Sequence, residues 1–232
     1  MTLTTIFSRQ WLMAGLVCLL PLASSAQDYS YEQMRDSLEH ATAMLRKFPD
    51  NVDMRLRKAS WNIFLEQWEY AQREYDYILD RDPDNVAALY FRAYTHERLH
   101  HYKHARKDYE DLLRIVPGDF NGQLGLALLN QKDMHYSEAM SIINHLVEQY
   151  PTSAVAYAAR AGMEAERQML EVAEYDFSEA IRLDPSCNDY LINRADIRIR
   201  KGDKKHARED LDEAVRQGMP KPTLKELYDQ CR

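Results

Sequence analysis

From residue 52 to residue 219 the chain alternates between runs that carry an apolar stripe and shorter polar breaks. Tyr75, Tyr109, Ile143, Phe177 and Leu211 stand 34 residues apart, and four places after each come Leu79, Leu113, Val147, Ile181 and Val215. A step of four returns a side chain to the same helical face, so each pair predicts an amphipathic helix. Alanine keeps the same period twice. Ala59, Ala93, Ala127, Ala161 and Ala195 form one set; Ala71, Ala105, Ala139, Ala173 and Ala207 form the other. Alanine at one place in every copy predicts a close approach of two backbones. Pro49, Pro83, Pro117, Pro151 and Pro185 keep the period too. Each ends a helix, because the residue before a proline is pushed out of the α region.

Counting from the third residue after each proline gives units 52–85, 86–119, 120–153, 154–187 and 188–219. The first helix of each runs from about position 1 to 14 and the second from about 18 to 31. Neither buries its stripe alone, whereas stacked copies do. The segment 27–51 supplies a helix, Tyr31 to Phe48, that packs on the first copy. Residues 220–232 supply a capping helix, Thr223 to Cys231, because an array's ends otherwise expose apolar surface. The fold class is all-α.

The run from alanine to a large residue four places on, as in Ala105 to Tyr109 and Ala173 to Phe177, is followed by proline at position 32. With junctions such as DRDPDNVAALYFRA and RLDPSCNDYLINRA it resembles the tetratricopeptide repeat. The departures are a missing early tryptophan, alanine rather than glycine at position 8, and Met219 where the last unit lacks its proline. The resemblance implies a right-handed superhelical solenoid of five helix pairs with an N-terminal helix and a C-terminal capping helix. It also implies a concave groove for another protein or a peptide, lined by positions 2, 5, 9, 12 and 13 of the first helices. Those positions point to Tyr90, Tyr94, Arg98, Asn121, Leu124, Leu128, Lys132 and Arg200 as partner-binding residues. Unit four is mostly small there, with Val155, Ala158, Gly162 and Ala165, and unit five offers Asp189, Ile192, Asp196 and Arg200. Tyr90 and Tyr94 have a second reading, as packing between neighbouring helices. The Lys and Asn pattern by which some family members grip a C-terminal carboxylate is replaced by Leu56 and Ser60.

Position 7 reads Lys58, Arg92, Leu126, Arg160 and Arg194, and position 23 reads Glu74, Asp108, Ile142, Asp176 and Asp210. Unit three loses both charges together. Pairing within each unit explains all five cases, whereas pairing from one unit to the next would set Asp108 against Leu126. The expected contacts are Lys58–Glu74, Arg92–Asp108, Arg160–Asp176 and Arg194–Asp210.

His96, His100, His101 and His104 crowd one turn. At helical spacing His96 and His100 share a face and are the candidate metal ligands. A catalytic zinc ion wants three converging ligands, and no HExxH is present, so a solvated polar turn is the favoured reading. Position 11, held by Asn62, His96, Asn130, Glu164 and Arg198, reads as a polar site at the array's edge. The chain has no Gly-rich phosphate loop and no GxSxG, so no cofactor and no enzymatic activity are expected. A formal net charge of -7 without a basic stripe argues against nucleic acid.

At the N-terminus Arg9 precedes the apolar stretch Trp11 to Leu22, and Ser24-Ser25-Ala26 then offers small residues. This reads as a signal peptide, 1–26, with no stable membrane insertion after its removal. In a Gram-negative source the protein would be periplasmic. The expectation is an exported scaffold for protein–protein or protein–peptide interaction. The alternatives are a metal-binding protein using His96 to His104 and a self-assembling spacer.

Overall fold

The computed structural model describes residues 29–232; the expected signal peptide, 1–26, lies outside them. Among the described residues there are twelve α-helices and no strand. An N-terminal helix, α1 (Tyr31–Lys47), precedes five pairs. These are α2 (Val52–Phe64) with α3 (Trp68–Leu79), α4 (Val86–Arg98) with α5 (Tyr102–Ile115), and α6 (Phe120–Lys132) with α7 (Tyr136–Gln149). They continue with α8 (Ala154–Glu166) and α9 (Leu170–Leu183), then α10 (Asn188–Lys201) and α11 (Lys204–Arg216). A 3-10 turn (Lys221–Leu224) leads into a short last helix, α12 (Lys225–Gln230).

Side chains fix where the first helices of the first four pairs begin. A helix leaves its first amide hydrogens without intrahelical partners. Asn51 Oδ1 accepts one from Met54 at 2.9 Å, Asn85 Oδ1 from Ala88 at 3.0 Å, Asp119 Oδ1 from Gly122 at 2.6 Å and Ser153 Oγ from Ala156 at 3.2 Å. The second helices begin after one recurring turn. The last residue but one before the new helix is left-handed in every repeat: Glu66 (φ 58°), His100 (φ 60°), Met134 (φ 61°), Gln168 (φ 62°) and Gly202 (φ 84°). The following amide reaches back to the last helical turn, as in His101 N to His96 O at 2.8 Å and Met169 N to Glu164 O at 2.9 Å. That is the Schellman ending, and four repeats make it without glycine.

The ten periodic alanines are all 0% exposed, as close backbone contact requires. Tyr75, Tyr109, Ile143 and Leu211 are also 0% exposed and Phe177 is 2% exposed. They are the large members of the core between the helices of each pair.

The expected ion pairs form in all four charged repeats. Lys58 Nζ lies 2.5 Å from Glu74 Oε1, and Arg55 joins the same carboxylate at 2.6 Å. Each arginine makes a two-pronged contact: Arg92 to Asp108 at 2.9 and 2.7 Å, Arg160 to Asp176 at 2.6 and 2.9 Å, Arg194 to Asp210 at 3.1 and 2.7 Å. The remaining nitrogen reaches the second helix of the preceding repeat. Arg92 donates to Asp76 at 2.8 Å, Arg160 to Asn144 at 3.2 Å and Arg194 to Ser178 at 3.0 Å. A planar guanidinium serves all three oxygens at once, which an ammonium does not. The arginine therefore joins one repeat to the next as well as closing its own pair.

The described residues divide into two compact units, one ending at Gly125 and the other running Leu126–Arg232. The boundary falls inside α6, in the repeat that carries Leu126 and Ile142 instead of charges; both are half-buried. In the first unit α1 to α5 pack each on the next. A Cβ on Gly125 would lie 2.6 Å from the Tyr109 ring, and one on Gly122 would lie 2.6 Å from Leu112. Glycine therefore lets the start of α6 sit against α5. In the second unit α7 to α11 pack in succession and α12 covers α10 and α11. Cys187, half-buried, and Cys231, buried, are free thiols.

Candidate functional site

The first-helix faces differ between the two units. In the first unit, Tyr90 is 8% exposed and Tyr94 is 5% exposed, so both rings belong to the core. Tyr90 packs edge-on against Tyr109 and Tyr94 against Trp68. Glu97, three residues after Tyr94, is buried and accepts a hydrogen bond from the Tyr109 hydroxyl at 2.8 Å. Of the residues expected to meet a partner here, Arg98 is half-buried, its guanidinium 4.9 Å from the Trp68 ring centre, Leu124 is half-buried and Asn121 is exposed.

The second unit keeps more of this face open. Leu128 is half-buried and Lys132 exposed. Val155 and Gly162 on α8 are half-buried, while Ala158 and Ala165 are buried. On α10, Asp189, Ile192, Asp196 and Ile199 are half-buried and Arg200 is exposed. Two contacts hold neighbouring first helices side by side at their ends. Gln131 Nε2 donates to Glu166 at 2.5 Å, and Arg200 Nη2 donates to the Ala165 carbonyl at 2.7 Å. Burial raises the carboxyl pKa of both Asp189 and Asp196; for Asp196 the nearby Arg200 partly opposes it.

The histidines are arranged otherwise than their spacing implies. The helix that carries His96 ends at Arg98, and His100 turns left-handed to share a 2.9 Å hydrogen bond with the Tyr102 hydroxyl. His96 and His100 therefore do not share a helical face. The rings that gather are His96, His101 and His104, with centroids 5.2 to 6.0 Å apart. Among the described residues no group of three or more His, Cys, Asp or Glu side chains is placed to hold a metal ion.

Position 11 is also corrected. Asn62, His96, Asn130 and Glu164 are 2 to 6% exposed, and Arg198 is half-buried. These polar groups face inward beside the ion pairs. His96 Nε2 lies 3.8 Å from Asp108, and burial lowers its pKa. Arg198 donates to Glu174 and to Asp210, both at 2.8 Å. Glu164 has no such cation to itself. Its Oε2 makes no hydrogen bond, and burial, with the charge of Asp176, pushes its pKa up to about 7.

The family model of the tetratricopeptide repeat matches residues 64–120 and 164–222, half of the chain. The protein belongs to the tetratricopeptide repeat family. A tetratricopeptide repeat protein from Parabacteroides merdae superposes with a TM-score of 0.73 at 24% identity, over 86% of this chain and 78% of that one. PilW, a widely conserved type IV pilus biogenesis factor, gives 0.70 at 16% identity, over 92% and 93%. YrrB, a repeat protein with an unusual peptide-binding site, gives 0.53 at 21% identity, over 78% and 93%. No curated protein matches the sequence. Identities this low carry the fold only.

Proposed function

We propose that the protein is a non-catalytic scaffold that binds another protein or a peptide on the faces of its first helices. The observation that carries this is the open face of the second unit. Leu128, Val155, Ile192 and Ile199 stay half-exposed on helices whose alanine stripes are buried, with small residues on α8 beside them. Half-exposed apolar groups beside fixed polar ones are what a recognition surface uses. The peptide-binding site of YrrB on a similar fold supports the reading. An envelope setting is part of the proposal. It is supported by the signal-like sequence at 1–26 and by the pilus role of PilW. No helix among the described residues is long and apolar enough to cross a membrane.

Site-specific photo-crosslinking tests the surface. A photoreactive residue at Leu128 or Ile192 should trap a partner in living cells, while one at Glu148 or Arg182, exposed on second helices, should not. Adducts from the second-helix sites alone would move the working surface to the other side. Dependence of the main adduct on a second copy of this chain would favour the self-assembling spacer.

A further inference from the structure

We infer that the partner segment carries a lysine or arginine, and that Asp189 receives it. This deepens the proposal above and rests on the first-helix faces being the binding surface. On α10 the face runs Asp189, Ile192, Asp196, Arg200 at helical spacing. Its one cation is already engaged. Arg200 Nη2 donates to Ala165 O at 2.7 Å and to Gln168 Oε1 at 3.2 Å, and Nη1 lies 3.6 Å from Asp196. Asp189 is half-buried, and among the described residues no cation or donor meets its carboxylate. A carboxylate partly stripped of water and left unpaired is unfavourable, and it gains when a cation meets it.

Three kinds of incoming side chain can be compared. An acidic one would meet Asp189 and Asp196 as like charges. An apolar one would strip the remaining water from Asp189 and give nothing back. A basic one pairs with Asp189 and lays its methylene stem along the neighbouring α8 face. Val155 and Gly162, both half-buried, bring no charge there and offer the stem an apolar surface. The net charge of -7 draws a basic segment in from a distance.

The test is selection of a random-peptide phage library on the whole chain, repeated on Asp189→Asn and Asp189→Lys, with each variant's fold checked by circular dichroism. Peptides recovered on the natural chain should be enriched in lysine and arginine. A synthetic copy of the best one should lose about tenfold in affinity on Asp189→Asn, the worth of one charged hydrogen bond. Asp189→Lys should recover acidic peptides instead. Recovered peptides without basic enrichment, or with affinity unmoved by Asp189→Asn, overturn the basic partner; if they still crosslink at Ile192, the binding face itself stands. No recovered peptide at all, or crosslinks only away from the first helices, overturns both.

Discussion

Glu164 sets a pH dependence that a single substitution should remove. The residue is 4% exposed, one carboxyl oxygen makes no hydrogen bond, and Asp176 stands close by with the Arg160 fork already committed to it. The folded protein thus holds Glu164 protonated up to about pH 7, against an ordinary 4.5. A raised pKa means that the folded state binds this proton more tightly than the unfolded chain does. The stabilisation is complete below pH 4.5, declines as pH rises, and is gone above about 7. At 1.36 kcal/mol per tenfold change in the acid constant, the whole difference is about 3 kcal/mol. Glu164→Gln keeps the volume and fixes the neutral form. Urea unfolding followed by circular dichroism at pH 5, 6, 7 and 8 should show the variant near the natural chain at pH 5. By pH 8 it should be more stable, by about 2–3 kcal/mol. Parallel profiles would mean that Glu164 is not held protonated, and a variant less stable at pH 8 would mean that its charge is paired in solution.

Other expectations follow from the packing. Arg160→Leu should cost about 3 kcal/mol by stranding the fully buried Asp176, and Arg160→Leu with Asp176→Ile, the Leu126 and Ile142 solution, should recover much of it. A double-mutant cycle in urea checks this, and absence of recovery refutes the pairing. Met134→Gly should stabilise by about 0.5–1 kcal/mol at φ 61°, while Gly202→Ala at φ 84° should destabilise by about 1 kcal/mol, both read from denaturation midpoints. Gly125→Ala would push a methyl group to 2.6 Å from the buried Tyr109 ring and should cost about 1–3 kcal/mol in the same assay. An unchanged midpoint there would mean that α6 shifts freely away from α5.

The repeat frame was legible because its residues are identical or co-vary. Alanine occupies positions 8 and 20 in every copy, and Leu126 with Ile142 showed that positions 7 and 23 change together. The arginine's third contact was hidden, because Asp76, Asn144 and Ser178 share no chemistry beyond an acceptor oxygen. The left-handed turn was hidden because only Gly202 announces it; Glu66, His100, Met134 and Gln168 adopt it under the demand of the helix ending. That turn is also why the spacing of His96 and His100 misleads: helical periodicity applies only while the helix lasts. Position 11 had a usable signal. It lies three residues after position 8 and four after position 7, on the packed stripe, so its burial follows from geometry although its residues are polar.

The same geometry explains why Tyr90 and Tyr94, prominent in the sequence as groove residues, are buried. Aromatic and arginine side chains are frequent anchors at interfaces, which directs attention to Tyr90, Tyr94 and Arg98. Those same side chains are large enough to fill the space between stacked helices, and in the first unit Trp68 and Tyr109 are there to receive them. On α8, in the second unit, positions 5 and 9 hold Ala158 and Gly162, which are too small to cover a neighbouring helix as a tyrosine does. The frame is held by residues outside this face: the alanines, the arginine forks and the turns. Positions 2, 5 and 9 are therefore free to be spent on closing a unit or on leaving it open, and small residues beside an unpaired Asp189 are the mark of the second choice.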